Sequence, residues 1–232
     1  MVTILDRSSI LVSMNKLSSE ERARIVSALV EGNSLRATAR MTGAARMTVE
    51  KLLRELGTAC AEYADLSLRG IPAKRIECDE IWAFCYAKEK NVPAEKRGEF
   101  GFGDVWTWTA IDADSKLIVS WMVGRRNATH ADSFLSDVAK RVTGRPMIST
   151  DGLAAYRWAI YSAFDGQVDH AVVQKIYGAN TDGAARYSPP ICKGCKREAQ
   201  YGNPDMEKAS TSYVERQNLT MRMGGLPPVR VS

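Results

Sequence analysis

The chain has 232 residues, room for one α/β domain and a small companion, and no internal repeat is visible. Its 45% hydrophobic and 25% charged residues are ordinary for a globular protein and exclude a largely disordered chain. The net charge of +5 suits a polyanionic partner without demanding one, and no apolar run approaches the ~20 residues of a membrane span.

Residues 1–16 read as an N-terminal tail. From Leu17 to Gly57 the punctuation is helical. Ser18 or Ser19 can cap a first helix with Glu20 and Glu21 in its opening turn, and Ile25, Val26, Leu29 and Val30 recur at helical spacing until Gly32-Asn33. A second helix fits Ser34 to Thr42, broken by Gly43. A third fits Ala45 to Leu56, stopped by Gly57. Ala39 and Val49 flank the Gly43 turn at spacings that let two helices approach and share a core, to which Leu35, Leu52 and Leu53 add. Such a trio describes a helix-turn-helix DNA-binding domain over residues 17–57. Arg36, Arg40, Arg46, Lys51 and Arg54 supply phosphate contacts, and Arg46, Met47 and Thr48 face the groove. The plainer alternative is a three-helix bundle with a solvated basic face.

Residues 58–73 read as a linker, and the texture changes over 74–223. Arg75 to Tyr86 is a strand rich in aromatic and β-branched residues, Lys88 to Gly103 a charged loop, Val105 to Ile111 a second strand, Asp112 to Lys116 a turn and Leu117 to Val123 a third strand. A helix near Ala131 to Val142, a strand Pro146 to Thr150, a helix Ala154 to Phe164, a strand His170 to Val173 and a helix Ser210 to Met223 follow. Three strands in meander and then alternating helices and strands is the order of a ribonuclease H-like α/β domain, a mixed sheet with flanking helices.

Asp79 falls mid-strand among apolar neighbours, where a charge is costly unless paired, hydrated or bound to metal. Asp151 follows the fourth strand, at the end of an α/β sheet where ligands gather. Glu215 sits in the last helix. The expected topology brings these three carboxylates together, an oxygen cage suited to Mg²⁺ or Mn²⁺. Two such ions, roughly 3.5–4 Å apart, can activate a nucleophile and stabilise the leaving oxygen in attack on a phosphodiester.

The strings ECDEIWAF (Glu77 to Phe84), STDGLAAY (Ser149 to Tyr156) and TSYVERQNLTMRM (Thr211 to Met223) resemble bacterial insertion-sequence transposases of the DDE class, the short type with an N-terminal helix-turn-helix. ARYSPPICKG (Ala185 to Gly194) looks like the linker before that family's last acidic helix. The resemblance implies Mg²⁺- or Mn²⁺-dependent cleavage and strand transfer at the element's terminal inverted repeats and a target DNA, with Asp79, Asp151 and Glu215 as the triad. It implies self-association on double-stranded DNA, and orienting or DNA-touching roles for Arg216, Gln217 and Asn218. Glu80 and Trp82 match the strand-one pattern without an assigned catalytic role, and packing is the expected job of Trp82. The family's helix continues past this point, whereas here GGLPPVRVS (Gly224 to Ser232) follows Met223, as expected of a truncated or frameshifted copy. A catalytically inactive DNA-binding protein and a structure-directed nuclease are the competing readings.

The five cysteines are odd in number and irregularly spaced, and no secretory signal precedes them; reduced thiols in a cytoplasmic protein are expected. Cys192 and Cys195 form a lone CxxC without the four ligands of a structural zinc site, and read as a reduced loop pair. Cys78, Cys85, Trp106, Trp108, Trp121 and Trp158 are expected in the core.

Overall fold

The computed structural model describes residues 16–178 and 191–223. Among them the chain is mixed α/β, with six α-helices and one six-stranded sheet. It divides into two compact units, one running up to Ala64 and the other spanning Asp65–Arg222.

The first unit is helical. Helix α1 (Ser19–Val30) opens on a full capping box, in which the Ser18 hydroxyl accepts from the Glu21 amide and the Glu21 carboxylate accepts from the Ser18 amide. At α2 (Leu35–Thr42) the Ser34 hydroxyl accepts from the Ala37 amide, without the reciprocal bond, and Gly43 ends the helix in the left-handed region at φ 74°, where a side chain would be strained. Helix α3 (Arg46–Ser67) follows after three residues, Gly43 to Ala45. Ile25, Val49 and Leu52 form a small core flanked by Leu35, Ala39 and Leu56, whereas Leu53, expected in that core, is exposed. Gly57 does not stop α3, which runs on through the expected linker to Ser67. A single glycine costs a helix only ~1 kcal/mol, and the Thr-Ala-Cys-Ala-Glu-Tyr-Ala run beyond it has no proline or second glycine.

In the second unit, β1 (Arg75–Cys85), β2 (Gly103–Asp112) and β3 (Ile118–Gly124) form the antiparallel meander. Helix α4 (Ala128–Arg141), capped by Asn127, leads to β4 (Met147–Thr150), which pairs with β1 in parallel. Helix α5 (Ala155–Ala163) crosses to β5 (Asp169–Gly178), parallel to β4. The sheet order is β3-β2-β1-β4-β5-β6.

Strand β6 (Ile191–Tyr201), antiparallel to β5, was hidden to pattern reading. ICKGCKREAQY carries four charges and little apolar alternation, since it forms a sheet edge whose described side chains are mostly exposed. Ile191 to Gly194 of the expected linker therefore belong to this strand, while residues 185–190, like the tails 1–15 and 224–232, lie outside the described residues. Cys195 is likewise in a strand, exposed, and not in a loop.

Side chains alternate across β1. Ile76 and Cys78 enter the main core with Trp108, Phe134, Leu135, Val138, Tyr156 and Ile160 from β2, α4 and α5. Glu77 and Asp79 face the other way, toward α6 (Ser212–Met223), whose buried positions are Val214 and Asn218. Of the tryptophans expected inside, Trp108 is fully buried. Trp121 and Trp158 are 54% and 76% exposed, which corrects the core assignment for both. No helix among the described residues is long and apolar enough to cross a membrane.

Candidate metal centre

The register of the parallel pair places the first two carboxylates. Glu77 stands opposite Ser149 across β1 and β4, and two residues beyond that pair Asp79 and Asp151 each bring an oxygen to within 4.8 Å of the other. Asp151 lies one residue past the end of β4. Its Oδ1 accepts from the Leu153 amide at 2.8 Å, a turn that fixes the side chain toward the cleft. Asp79 Oδ2 accepts from Asn218 Nδ2 of α6 at 2.9 Å. Asp79, Asp151 and Glu215 line one open cleft of about 640 Å³, together with Arg126, Gln174, Lys175 and Thr211.

The group of acidic residues whose oxygens lie within mutual reach is not quite the expected trio. Among the described residues Asp79, Glu80 and Asp151 each offer an oxygen, all within 4.8 Å of one another, and can hold a metal ion. Glu215 sits in the same cleft outside that group, held by an ion pair with Lys175 and by the Thr211 hydroxyl at 2.8 Å. Glu80 has no signal of its own in the sequence, because strand alternation turns it toward the core. Its side chain is 1% exposed, and Arg126 Nε donates to Oε2 at 2.9 Å. Arg126 Nη2 reaches Asp151 Oδ2 at 3.1 Å, so one guanidinium spans both carboxylates, and it stacks over the Trp106 ring at 5.0 Å.

Several buried polar atoms here lack a hydrogen bond of normal length: Glu80 Oε1, the Tyr156 hydroxyl and Asn218 Oδ1. Each of the first two is close enough to influence the other's protonation. The Tyr156 hydroxyl is the donor nearest to Glu80 Oε1, since a buried carboxylate oxygen left without one is costly; a hard cation is another group that would satisfy it.

The protonation behaviour follows from burial against a crowd of like charges. Burial raises the Asp79 carboxyl above the ordinary aspartate range. The Glu80 amide and Asn218 pull it back in part, and Asp151 and Glu215 push it up again. Burial also raises Glu80, offset by Tyr156 and Arg126 and reinforced by Asp151. For Arg126 burial works downward, but the Glu80 and Asp151 carboxylates outweigh it and hold the guanidinium charged. An added divalent cation relieves the same repulsion among the acids.

The expected DNA-contacting residues are all in the first unit. Arg36, Arg40, Arg46, Lys51 and Arg54 are exposed, Met47 is 79% exposed and Thr48 is half-buried at the start of α3. Lys51 also pairs with Glu55 one turn on, at 3.8 Å. No protein-family model matches the chain, and no curated protein matches it.

Proposed function

We propose that the second unit is a ribonuclease H-like nuclease domain, and that the chain is a DDE-class DNA transposase. The observation that carries this is the convergence of Asp79 on β1, Asp151 after β4 and Glu215 on α6 upon one open cleft. The sheet order, with an antiparallel meander joined in parallel to β4 and β5, agrees with that domain type. The three strings that resemble insertion-sequence transposases supply the rest. The all-oxygen donor set suits Mg²⁺ or Mn²⁺, with Asp79, Glu80 and Asp151 as the inner group and Glu215 at its border.

A bound divalent ion would polarise the scissile phosphate and lower the pKa of an attacking hydroxyl. The chain's own residues do the positioning. Asn218 orients Asp79, the Leu153 amide orients Asp151, and Arg126 presents a charged guanidinium at the cleft wall where a phosphate oxygen would approach. The first unit would act as a helix-turn-helix, with Arg46, Met47 and Thr48 toward the bases and Arg36, Arg40, Lys51 and Arg54 toward the phosphates. Double-stranded DNA bearing the element's terminal inverted repeats, a target DNA and a second copy of the chain are the partners this reading requires.

A second reading is an inactive DNA-binding copy. It is favoured by one observation, that Lys175 and Arg126 already pair with Glu215 and Asp151. Strand cleavage of a duplex carrying those repeats, with Mg²⁺ or Mn²⁺, decides between them. The transposase predicts nicking at the repeat ends that is lost in Asp79→Asn, Asp151→Asn and Glu215→Gln alike. Cleavage that ignores the repeats, or that survives all three changes, overturns it. Metal-independent binding without cleavage supports the inactive copy.

A further inference from the structure

Helix α6 is not capped by the Thr211 hydroxyl that its sequence places there. Thr211 stands at the N-cap position, where a hydroxyl ordinarily accepts from the amides of the first turn. Here that hydroxyl donates to Glu215 Oε1 at 2.8 Å; the Ser212 amide is taken by the Ser210 hydroxyl at 3.0 Å, and the next two amides need another acceptor. They find it on β1: Glu77 Oε2 accepts from the Tyr213 amide at 2.7 Å and from the Val214 amide at 3.0 Å. Glu77 is 3% exposed, so this is a charged acceptor set at a buried helix N-terminus, the geometry in which such bonds are strongest. Lys116, from the turn between β2 and β3, lies over the Tyr213 ring and holds the same turn of the helix from the other side.

The consequence reaches the cleft because of spacing. Two residues along β1 from Glu77 is Asp79, and one turn along α6 from Val214 is Asn218, and these two are joined at 2.9 Å. Strand and helix are thus stitched at two points, with Glu215 between them on the helix. We infer that Glu77 is a positioning residue that caps α6 from the neighbouring strand, freeing Thr211 to orient Glu215 and setting Glu215 and Asn218 against Asp79. Its inference for the metal rests on the reading of Asp79 and Glu215 as ion-binding groups. The capping itself does not.

Hydrogen exchange of the α6 first-turn amides and titration with Mn²⁺ alone, both on the full chain, test this. Glu77→Ala should speed exchange of the Tyr213 and Val214 amides at least tenfold, while β4 and β5 amides keep their protection. It should also weaken Mn²⁺ binding toward the level of Glu215→Gln. Glu77→Gln keeps a carbonyl acceptor and should restore most of both, a rescue that loss of a mere packing group would not give. If Glu77→Ala leaves the first-turn amides as protected as before, the capping role is wrong. If it frees them but Mn²⁺ affinity holds while Glu215→Gln lowers it, the positioning role is wrong. Should Glu77→Ala fail to fold, Glu77→Gln with exchange and affinity more than tenfold worse than the parent would count against the proposal too. Mn²⁺ binding indifferent to Asp79→Asn and Glu215→Gln would instead refute the ion-binding reading, leaving the capping to be judged by exchange.

Discussion

Removing the guanidinium of Arg126 should weaken the protein and at the same time sharpen its response to metal. Glu80 is 1% exposed at its side chain and Arg126 is 33% exposed. Deleting one member of a fully buried pair costs roughly 3–5 kcal/mol, because the survivor is left charged and unpaired. Water that reaches Arg126 screens part of this, so Arg126→Ala should cost about 2–3 kcal/mol. For a domain of this size that is a fall of roughly 5–10 °C in melting temperature. The variant cleft would hold Asp79, Glu80 and Asp151 with no cation spanning two of them. Mn²⁺ should therefore raise its melting temperature by more than it raises the parent's. Thermal melts of parent and variant, each in chelator and in millimolar Mn²⁺, give the four values required. A variant that melts with the parent in chelator refutes the structural cost. Equal Mn²⁺ shifts in the two proteins refute the view that guanidinium and ion compete for one set of oxygens.

Acid should destabilise the fold through His170, which is buried on β5 with its Nε2 2.9 Å from the Thr150 hydroxyl. Burial first, and then Arg157, lowers its pKa from 6.5 to about 4. The unfolded chain takes up the proton first as pH falls, so stability is complete above about 6.5 and drains away down to about 4, by about 3 kcal/mol in all. Urea unfolding across that window, with His170→Asn removing most of the slope, checks it. Gly103→Ala should cost about 1–3 kcal/mol, since the residue sits at φ 92° and an added Cβ would strike the Glu89 carboxylate that accepts from the Asp104 amide. Gly98→Ala, at φ 84° with open space around it, should show the smaller backbone cost alone in the same melts. In the first unit, Val49→Ala should lose about 2 kcal/mol from a fully buried methyl pair. On the proposed helix-turn-helix reading, Arg54→Ala should leave melting unchanged but weaken DNA binding and reduce its salt dependence by about one counterion, read from affinity against salt concentration.

Patterns of period 2 and 3.6 carried most of the architecture, because the meander strands and α4 each expose one face and bury the other. Asp79 and Asp151 were legible for a related reason: a carboxylate inside an apolar strand, and another at the end of a strand, are costly placements that need a cause. Glu80 and Glu77 were not legible. Both flank Asp79 in one strand, and only the register with β4 and the position of α6 show which neighbour shares its oxygens and which grips a helix. Strand β6 escaped because a charged edge strand satisfies its backbone on one side only and needs no apolar alternation. Gly57 misled, since one unfavourable residue cannot end a helix whose flanks both propagate.

The stacking of Arg126 upon Trp106 gives the cleft an optical signal of its own. An indole's emission depends on the charge above its ring, so any event that draws the guanidinium away should alter Trp106 fluorescence without an added label. Trp108, enclosed by Phe134 and Tyr156, would supply a constant background. Replacing Trp121 and Trp158, both exposed on the surface, together with Trp82, which has a cation of its own, Lys88, over its ring, would leave occupancy of the carboxylates readable in real time from the light that the protein itself emits.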